Sequence, residues 1–187
     1  KAGVKASFFL TGDFLRNPAF KKSIKKMVQE GHYLGPHSDK HLLYCDWGKR
    51  DSLLLTRAQF TQDLQANLRA LQGFQVKTPL PYFMPPYEWY NEQIVDWSTE
   101  QGLQVINFTP RTGTNADYTT PTMANYRSSE TLYQGLLEFE KNDPQKLNGA
   151  IVLIHLGTDP ARKDKLYARL PDLIRDLREK GYRFARL

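Results

Sequence analysis

Short apolar runs and amphipathic helical stretches alternate along the chain, and this alternation limits the possible folds more than any other feature. Val4–Leu10 and Ala150–Leu156 are rich in β-branched and aromatic residues, as strands are. In Thr56–Leu71, by contrast, apolar residues recur at helical spacing. Strands that alternate with helices favour βα units, and hence a parallel sheet or a barrel. The predicted strands are Val4–Leu10, His32–Gly35, Leu80–Met84, Leu103–Phe108, Ala150–Leu156 and Tyr182–Leu187. The predicted helices are the stretch from Asn17 to Gly31, Thr56–Leu71, Asn91–Gln101, the stretch from Ser128 through Phe139, and the stretch from Leu170 to Gly181.

The size and composition of the chain point to one globular domain over residues 1–187. It has 187 residues, of which 40% are hydrophobic, so it can bury a core and is not disordered. No apolar run reaches the roughly 18 residues of a membrane span. The net charge of +6 comes from scattered basic residues, a lysine-bearing helix and the stretch from Arg162 to Arg186. These are interpreted as solvated faces, so no nucleic-acid partner is predicted. Cys45 is the single cysteine, which excludes an internal disulfide.

Two histidines four residues apart follow the second predicted strand. If the segment forms a helical turn, His37 and His41 point the same way and can share one metal ion. Two ordinary surface histidines remain the alternative, since this spacing alone is weak. The residue after the first histidine is Ser38, where zinc peptidases with this spacing need glutamate. A metalloprotease is therefore disfavoured.

Further reactive side chains lie where other predicted strands end. His155 closes the apolar run AIVLIHL, where a packed core histidine and an active-site histidine are equally reasonable interpretations. Pro85 and Pro86 precede Tyr87 and Glu88 in the segment PPYEW. A Pro-Pro turn fixes the direction of the next N–H group, as a binding site for an oxyanion requires.

Four motifs occur together in an order that a known family shares. The segments GVKASFFLTGDFLRNP, HSDKH, PPY and IVLIHLG, the last followed by a helix and GYRF, resemble the polysaccharide deacetylases of the NodB-homology group, carbohydrate esterase family four. The resemblance covers nearly the whole chain. It implies a distorted (β/α) barrel and a metal, usually Zn²⁺, held by an aspartate and two histidines. It also implies removal of N-acetyl groups from an acetylated glycan, and favours an extracytoplasmic location.

The resemblance implies a role for each matching residue of this chain. His37 and His41 match the two metal-binding histidines, and Tyr87 matches the tyrosine whose N–H polarises the acetyl carbonyl. His155 matches the acid that protonates the leaving amine. Asp117, followed by Tyr118, matches the aspartate that tunes this histidine. Three aromatic residues near the rim, Trp47, Trp89 and Tyr118, are predicted to stack on sugar rings, with ordinary packing as the alternative.

The sequence also departs from the family pattern. The family's TFDD-type motif, which supplies the base and the aspartate ligand, lies upstream of a strand like the first one here. We therefore expect an incomplete barrel that lacks its first βα unit, or a chain without these acids. Met84 stands where the family has an arginine, and Glu88 where it has a glycine. Glu88 is a candidate surrogate base, a ligand for substrate hydroxyls, or an ordinary rim glutamate.

Two alternative functions remain after the sequence analysis. The first is a catalytically impaired glycan-binding homologue that keeps the barrel. The second is a deacetylase acting on a small amide or an O-acetyl ester, which would share the metal site and differ in the substrate groove. The glycan, the linkage and the oligomeric state are not predicted.

Overall fold

The computed structural model describes residues 3–76 and 80–187 in two compact units. The N-terminal unit comprises Gly3–Asn107 with Phe184–Leu187, and the C-terminal unit comprises Phe108–Arg183. Residues 77–79 lie outside the description. The predicted strand Leu80–Met84 begins directly after them and is described in full. The expectation of one domain over 1–187 stays a prediction.

The first half of the N-terminal unit is a βαβ arrangement. Strands β1 (Ser7–Leu10) and β2 (Tyr33–Pro36) pair in parallel, with Ser7 opposite Tyr33. Helices α1 (Gly12–Arg16) and α2 (Lys21–Gln29) connect them. The predicted strand positions are confirmed here. Asn17 caps the predicted first helix as expected, since its side chain accepts a hydrogen bond from the Ala19 N–H, but Pro18–Phe20 forms a 3₁₀ turn before α2 begins. The short helix α1 was not predicted.

A second parallel pair follows in the same unit. Strands β3 (Tyr82–Phe83) and β4 (Gln104–Val105) are joined through helix α4 (Glu92–Glu100). The Tyr33 hydroxyl links the two pairs, since it donates to Tyr82 O at 3.0 Å and accepts from Tyr82 N at 3.1 Å. Burial raises the pKa of Tyr33 to about 12, so the hydroxyl keeps the proton that it donates.

Helix α3 (Arg57–Gln72) packs against the first strand pair and is fixed at its start by a capping box. The Thr56 hydroxyl accepts from the Gln59 N–H, and the Gln59 side chain accepts from the Thr56 N–H. Phe60 and Leu64 on its inner face are fully buried, as the helical periodicity predicts.

The C-terminal unit is built around two helices, α5 (Ser129–Asn142) and α6 (Leu170–Glu179). Most of the apolar residues predicted to face inward on these helices are buried, whereas Phe139, Leu170 and Ile174 are half-buried. Their buried apolar residues are Leu132, Tyr133, Leu136, Leu173 and Leu177. Short 3₁₀ helices over both units cover Pro18–Phe20, Pro86–Glu88, Thr114–Tyr118 and Leu166–Arg169.

Two predicted strands are wrong. Neither Ala150–Leu156 nor Tyr182–Leu187 forms a strand in the structure. Side-chain oxygens occupy N–H groups that a neighbouring strand would bind. The Ile151 N–H donates to Thr109 Oγ1 at 2.9 Å, and the Leu187 N–H donates to Ser7 Oγ at 2.9 Å. The α/β class with parallel strands is confirmed, and closure into a barrel stays a prediction.

In the described part of the chain, no helix has both the length and the apolar character needed to cross a lipid bilayer.

Candidate active site

The two predicted metal-binding histidines lie together after β2. The ring centroids of His37 and His41 are 5.0 Å apart, with an angle of 61° between the ring planes. His37 Nδ1 lies 2.7 Å from Met84 O and donates its proton to that carbonyl in the neutral ring. This hydrogen bond places the lone pair of the neutral imidazole on Nε2, the arrangement typical of a metal-binding histidine.

The spacing of the two rings fits a shared metal ion. For two imidazoles bound to one tetrahedral ion at a Zn–N distance of about 2.1 Å, the ring centroids lie roughly 5.3 Å apart. The observed separation is close to this value. Among the residues that the structure describes, no group of three or more histidine, cysteine or acidic side chains could hold an ion. His37 and His41 are therefore two candidate donors, and a metal site at this position would need a further one.

A buried aspartate of α3 holds the backbone of the histidine loop. The Asp63 carboxylate accepts from Ser38 Oγ at 2.6 Å, from Asp39 N at 2.9 Å and from Lys40 N at 3.0 Å. A carboxylate with three donors of this kind is strongly bound in one position. The backbone conformation between the two histidines is thus held by a side chain of α3, more than twenty positions later in the sequence.

One turn further along α3, Asn67 links the loop to β1. Its side-chain oxygen accepts from His37 N at 2.9 Å, and its amide nitrogen donates to Leu10 O at 3.0 Å. Asn67 is fully buried. The end of β1 and the beginning of the histidine loop are therefore fixed to each other through one side chain.

The acidic residue inside the histidine loop is already engaged. The Asp39 carboxylate binds the Arg16 guanidinium through two contacts, of 2.6 and 2.9 Å. Glycine is required at position 12 because a Cβ there would lie 1.8 Å from Asp39 Oδ1. Asp39 therefore fixes α1 to the loop, and its carboxylate faces Arg16.

The Pro-Pro turn brings Tyr87 against His41, with 4.4 Å between the two ring centroids. The N–H groups of Glu88 and Trp89 donate to Pro85 O and Pro86 O. Within the described residues, no such acceptor receives the Tyr87 N–H. This N–H is therefore the candidate for the predicted oxyanion donor.

Unusual backbone conformations concentrate in these two segments. Of the seven non-glycine residues with positive φ in the described chain, four are Ser38, His41, Tyr87 and Glu88. Such conformations cost about 1 kcal/mol or more each and cluster at functional sites. The Glu88 carbonyl accepts from Asn107 Nδ2 at 3.2 Å, which fixes the turn to the segment after β4.

The predicted sugar-stacking residues of this unit continue from Tyr87. Trp47 is 57% exposed, and its ring centroid lies 5.5 Å from that of Tyr87 and 5.5 Å from that of Trp89. Trp89 Nε1 donates to Asp46 O at 3.2 Å, which fixes the second indole. The side chain of Arg50 lies over the Trp89 ring at 4.4 Å.

In the C-terminal unit, Asp117 binds His155 twice. One carboxylate oxygen lies 2.6 Å from His155 Nδ1, and the other accepts from the His155 N–H at 2.8 Å. Asp117 is fully buried, whereas the His155 side chain is 30% exposed. The predicted pairing is present in the structure. Tyr118 is exposed, and its ring centroid lies 6.2 Å from that of His155.

A buried arginine orders the segment that carries Asp117. Arg162 donates to Thr119 O at 2.8 Å, to Arg127 O at 3.0 Å and to Ser129 Oγ at 3.1 Å. The interpretation of the basic stretch from Arg162 as a solvated face is wrong at this first residue, which has no exposed surface. Main-chain carbonyls satisfy its guanidinium in place of water.

The structure thus brings the predicted site residues together in two sets, and their catalytic roles stay predictions. Sequence reasoning missed the polar residues that hold them, Asp63, Asn67 and Arg162. For Asp63 and Asn67 a signal exists, since both fall on the inner face of α3 defined by Phe60 and Leu64. The set in the N-terminal unit is His37, His41, Trp47, Tyr87, Glu88 and Trp89, and the set in the C-terminal unit is Asp117, Tyr118 and His155.

Sequence comparison identifies relatives over nearly the whole chain. The chain is 27% identical over 183 residues to the uncharacterized protein YlxY of Bacillus subtilis, which covers 97% of this chain and 47% of that protein. It is 25% identical over 184 residues to the peptidoglycan-N-acetylmuramic acid deacetylase PdaA of the same organism, which covers 98% of this chain and 60% of that protein. The chain therefore spans about half to three fifths of these relatives.

Solved structures share the fold. The Bc1960 peptidoglycan N-acetylglucosamine deacetylase superposes with a TM-score of 0.73 at 22% identity, over 100% of this chain and 74% of that one. BA3943 of Bacillus anthracis, a CE4 family pseudoenzyme, superposes with a TM-score of 0.71 at 22% identity, over 98% of this chain and 54% of that one. The family model of polysaccharide deacetylases matches residues 1–106, more than half of the sequence. The chain therefore belongs to the polysaccharide deacetylase family.

Proposed function

We propose that the protein hydrolyses N-acetyl groups of an acetylated glycan of the peptidoglycan type, with a divalent metal, Zn²⁺, as its cofactor. The observation that carries this proposal is the pair of rings of His37 and His41, 5.0 Å apart, with Tyr87 against the second ring. Similarity to a peptidoglycan deacetylase supports the substrate class. The same chemistry would act on O-acetyl esters.

His37 would bind the ion through Nε2, since its Nδ1 is engaged with Met84 O. His41 would supply the second nitrogen. Catalytic zinc sites use three protein ligands, so a third donor must complete the site. When bound, the ion supplies Lewis-acid polarisation of the acetyl carbonyl and makes water more acidic.

The Pro-Pro turn would act on the acetyl group itself. The Tyr87 N–H would donate a hydrogen bond to the carbonyl oxygen, and this bond strengthens as negative charge develops there. Glu88, the next residue, is the candidate in this chain for the base that accepts a proton from the attacking water. Its position in a left-handed turn, at φ 52°, keeps it beside the proposed oxyanion donor.

His155 is proposed as the acid that protonates the leaving amine. Because its Nδ1 faces the Asp117 carboxylate at 2.6 Å, Nε2 is the ring nitrogen that would exchange a proton with the substrate. Asp117 fixes the orientation of the ring and stabilises its positive charge. Trp47, Trp89 and Tyr118 would stack on sugar rings.

The proposal is tested by acetate release from N-acetylated chito-oligosaccharides and peptidoglycan fragments, with and without Zn²⁺. His37→Asn retains a donor for Met84 O and removes the ligand nitrogen, so we expect it to lose zinc binding and activity together. The matched control is His32→Asn, since His32 Nδ1 accepts from Ala6 N at 3.0 Å and the asparagine oxygen can take that place. Zinc-independent acetate release, or equal losses in both variants, would contradict the proposed metal site.

A second candidate function is glycan binding without catalysis. It is favoured by the absence of a third metal donor among the described residues. The fold similarity to a pseudoenzyme points in the same direction. Saturable binding of the same oligosaccharides, without acetate release at any zinc concentration, would establish this function and exclude hydrolysis.

A further inference from the structure

An exposed arginine lies at the end of the aromatic row formed by Tyr87, Trp47 and Trp89. The Arg50 guanidinium carbon is 4.4 Å from the centroid of the Trp89 ring and 5.6 Å from that of Tyr90. Cation–π contacts of this kind attract a guanidinium to an aromatic face and restrict its motion. The arginine therefore extends the surface that begins at the histidine pair.

Hydrogen bonds restrict Arg50 further. Its Nε donates to Tyr90 O at 2.6 Å, and Asn91 Nδ2 donates to the Arg50 carbonyl at 3.3 Å. The turn that carries it is closed by Asp46, whose side chain accepts from the N–H groups of Gly48 and Lys49 at 2.8 Å each. Both the backbone and the side chain of Arg50 are thus held in place before any ligand arrives.

Arg50 differs from several other arginines of the described chain in having no carboxylate within ion-pair distance. Arg16, Arg57 and Arg111 are held by the carboxylates of Asp39, Glu100 and Asp143. Arg50 is instead held by aromatic faces and a carbonyl group, and within the described residues no acidic side chain forms an ion pair with it. Its two terminal nitrogens can therefore present a positive fork to a ligand, and such a fork matches a planar carboxylate.

The position of this fork relates it to the proposed glycan surface. Tyr87 contacts both His41 and Trp47, and Trp47 contacts Trp89, with ring-centroid distances of 4.4, 5.5 and 5.5 Å. A sugar ring stacked on Trp47 would lie beside Trp89, the ring that Arg50 contacts. A neutral substituent would gain little there, whereas a carboxylate would gain a charge-assisted hydrogen bond.

We propose that Arg50, stacked on Trp89, forms a subsite for a carboxylate-bearing sugar, so that the protein prefers anionic glycans to neutral ones. This inference rests on the proposed function for the identity of the polymer. It adds that the sugar unit near the acetyl group carries a negative charge. A carboxylate on the sugar itself and a carboxylate on an attached peptide share the required chemistry, and the experiment separates them.

The test is a tryptophan-fluorescence titration of the protein with three ligands. These are a neutral chito-oligosaccharide, an oligosaccharide of equal length with N-acetylmuramic acid, and the same oligosaccharide bearing a peptide. We expect the wild-type protein to bind the second ligand at least about tenfold more tightly than the first at low salt, and less selectively at high salt. Selectivity that appears only with the third ligand would overturn the sugar-carboxylate subsite in favour of peptide recognition.

Variants assign the selectivity to the residue. Arg50→Gln should remove the preference, so that its affinities for the acidic and neutral ligands agree within about twofold. Arg50→Lys should retain part of the preference, because lysine keeps the charge and loses the fork. Lys49→Gln is the matched control, since it removes the same charge at the adjacent position and should keep the preference. The subsite would be overturned if Arg50→Gln and Lys49→Gln lost the preference to the same extent, or if Arg50→Gln lost affinity equally for all ligands. It would also be overturned if the wild-type protein bound none of these glycans.

The outcome can be separated from that of the proposed hydrolysis. Acetate release with no preference for acidic ligands would exclude the subsite and leave the deacetylase proposal standing. A preference that depends on Arg50, without acetate release, would support the subsite and contradict the deacetylase proposal. Thermal unfolding of Arg50→Lys and Arg50→Gln confirms that both variants are folded.

Discussion

The ring of His37 is oriented by the main chain at Met84, with 2.7 Å between His37 Nδ1 and the carbonyl oxygen of Met84. Because the acceptor is a peptide carbonyl, its presence does not depend on which side chain occupies position 84. The Met84 side chain is buried. The Met84 side chain, which stands where the resemblance implies an arginine, is therefore not the group that orients the His37 ring.

Asp63→Asn should weaken both the fold and the zinc site. The amide retains one acceptor oxygen where the carboxylate binds three donors, from Ser38, Asp39 and Lys40. We expect a free energy of unfolding lower by about 1–3 kcal/mol, and a zinc affinity about 10–100-fold lower. Urea unfolding and zinc titration of one preparation measure both quantities. Asp96→Asn, at an exposed position of α4, is the control, and an unaltered zinc affinity in Asp63→Asn would show a purely structural role.

Asp117→Asn should impair catalysis more than substrate binding. Asparagine fits the same space but offers His155 Nδ1 either a weaker acceptor or a competing donor, so the ring loses the orientation fixed by Asp117. We expect kcat to fall about 100-fold or more, with KM changed less than about threefold. Steady-state acetate release measures both. Asp159→Asn is a suitable control, because that exposed side chain accepts from Ala161 N and asparagine can do the same. A rise in KM with kcat unchanged would exclude the proposed role.

Two alanine substitutions at glycine should have opposite effects. Gly12→Ala forces a Cβ to within 1.8 Å of Asp39 Oδ1, so the ion pair with Arg16 must shift. We expect destabilisation by about 1–3 kcal/mol. Gly135→Ala lies in α5 with nothing within 4 Å of the added methyl group, and should stabilise by about 0.5–1 kcal/mol. Thermal and urea unfolding check both signs, and a stable Gly12→Ala variant would show that the loop can move away.

Glu140→Gln should change how stability depends on pH. The hydrogen bonds from Lys180 at 2.7 Å and Tyr182 at 3.1 Å hold the pKa of Glu140 below its ordinary value of 4.5. A carboxyl whose pKa is lowered by folding contributes stability above that ordinary value and loses it as the pH falls through the folded value. The melting temperature of the variant should therefore lie below wild type at pH 7 and approach it near pH 3. Glu138→Gln, at an exposed position of the same helix, should show no such convergence.

The helices could be predicted because their signals are local. The sequence indicates a helix start at Thr56, Asn91 and Ser128, and each of these residues caps its helix. In each case the side chain accepts a hydrogen bond from the N–H group three residues later. Strands depend on partners elsewhere in the chain. Ala150–Leu156 has the composition of a strand, yet it lies beside Thr109 and Asp117, whose side chains take its N–H groups.

The candidate site residues could be predicted as residue types at strand ends, whereas the contacts that hold them in place could not. Histidines, prolines and aromatics carry recognisable chemistry and spacing. Asp63, Asn67 and Arg162 act through backbone atoms distant in sequence, and no motif marks such contacts. A polar residue on the apolar face of a predicted helix is the one general sign, because burial without a partner would be too costly.

The attachment of the histidine loop to α3 couples the two thermodynamically. Any ligand that prefers the ordered loop must also favour the ordered helix, because Asp63 and Asn67 of α3 bind the backbone of the loop. Amide protons in the middle of α3 should accordingly exchange with deuterium more slowly when the loop is occupied. Amide exchange in α3 would in this way indicate whether a ligand is bound at the histidine loop, although no residue of α3 contacts that ligand.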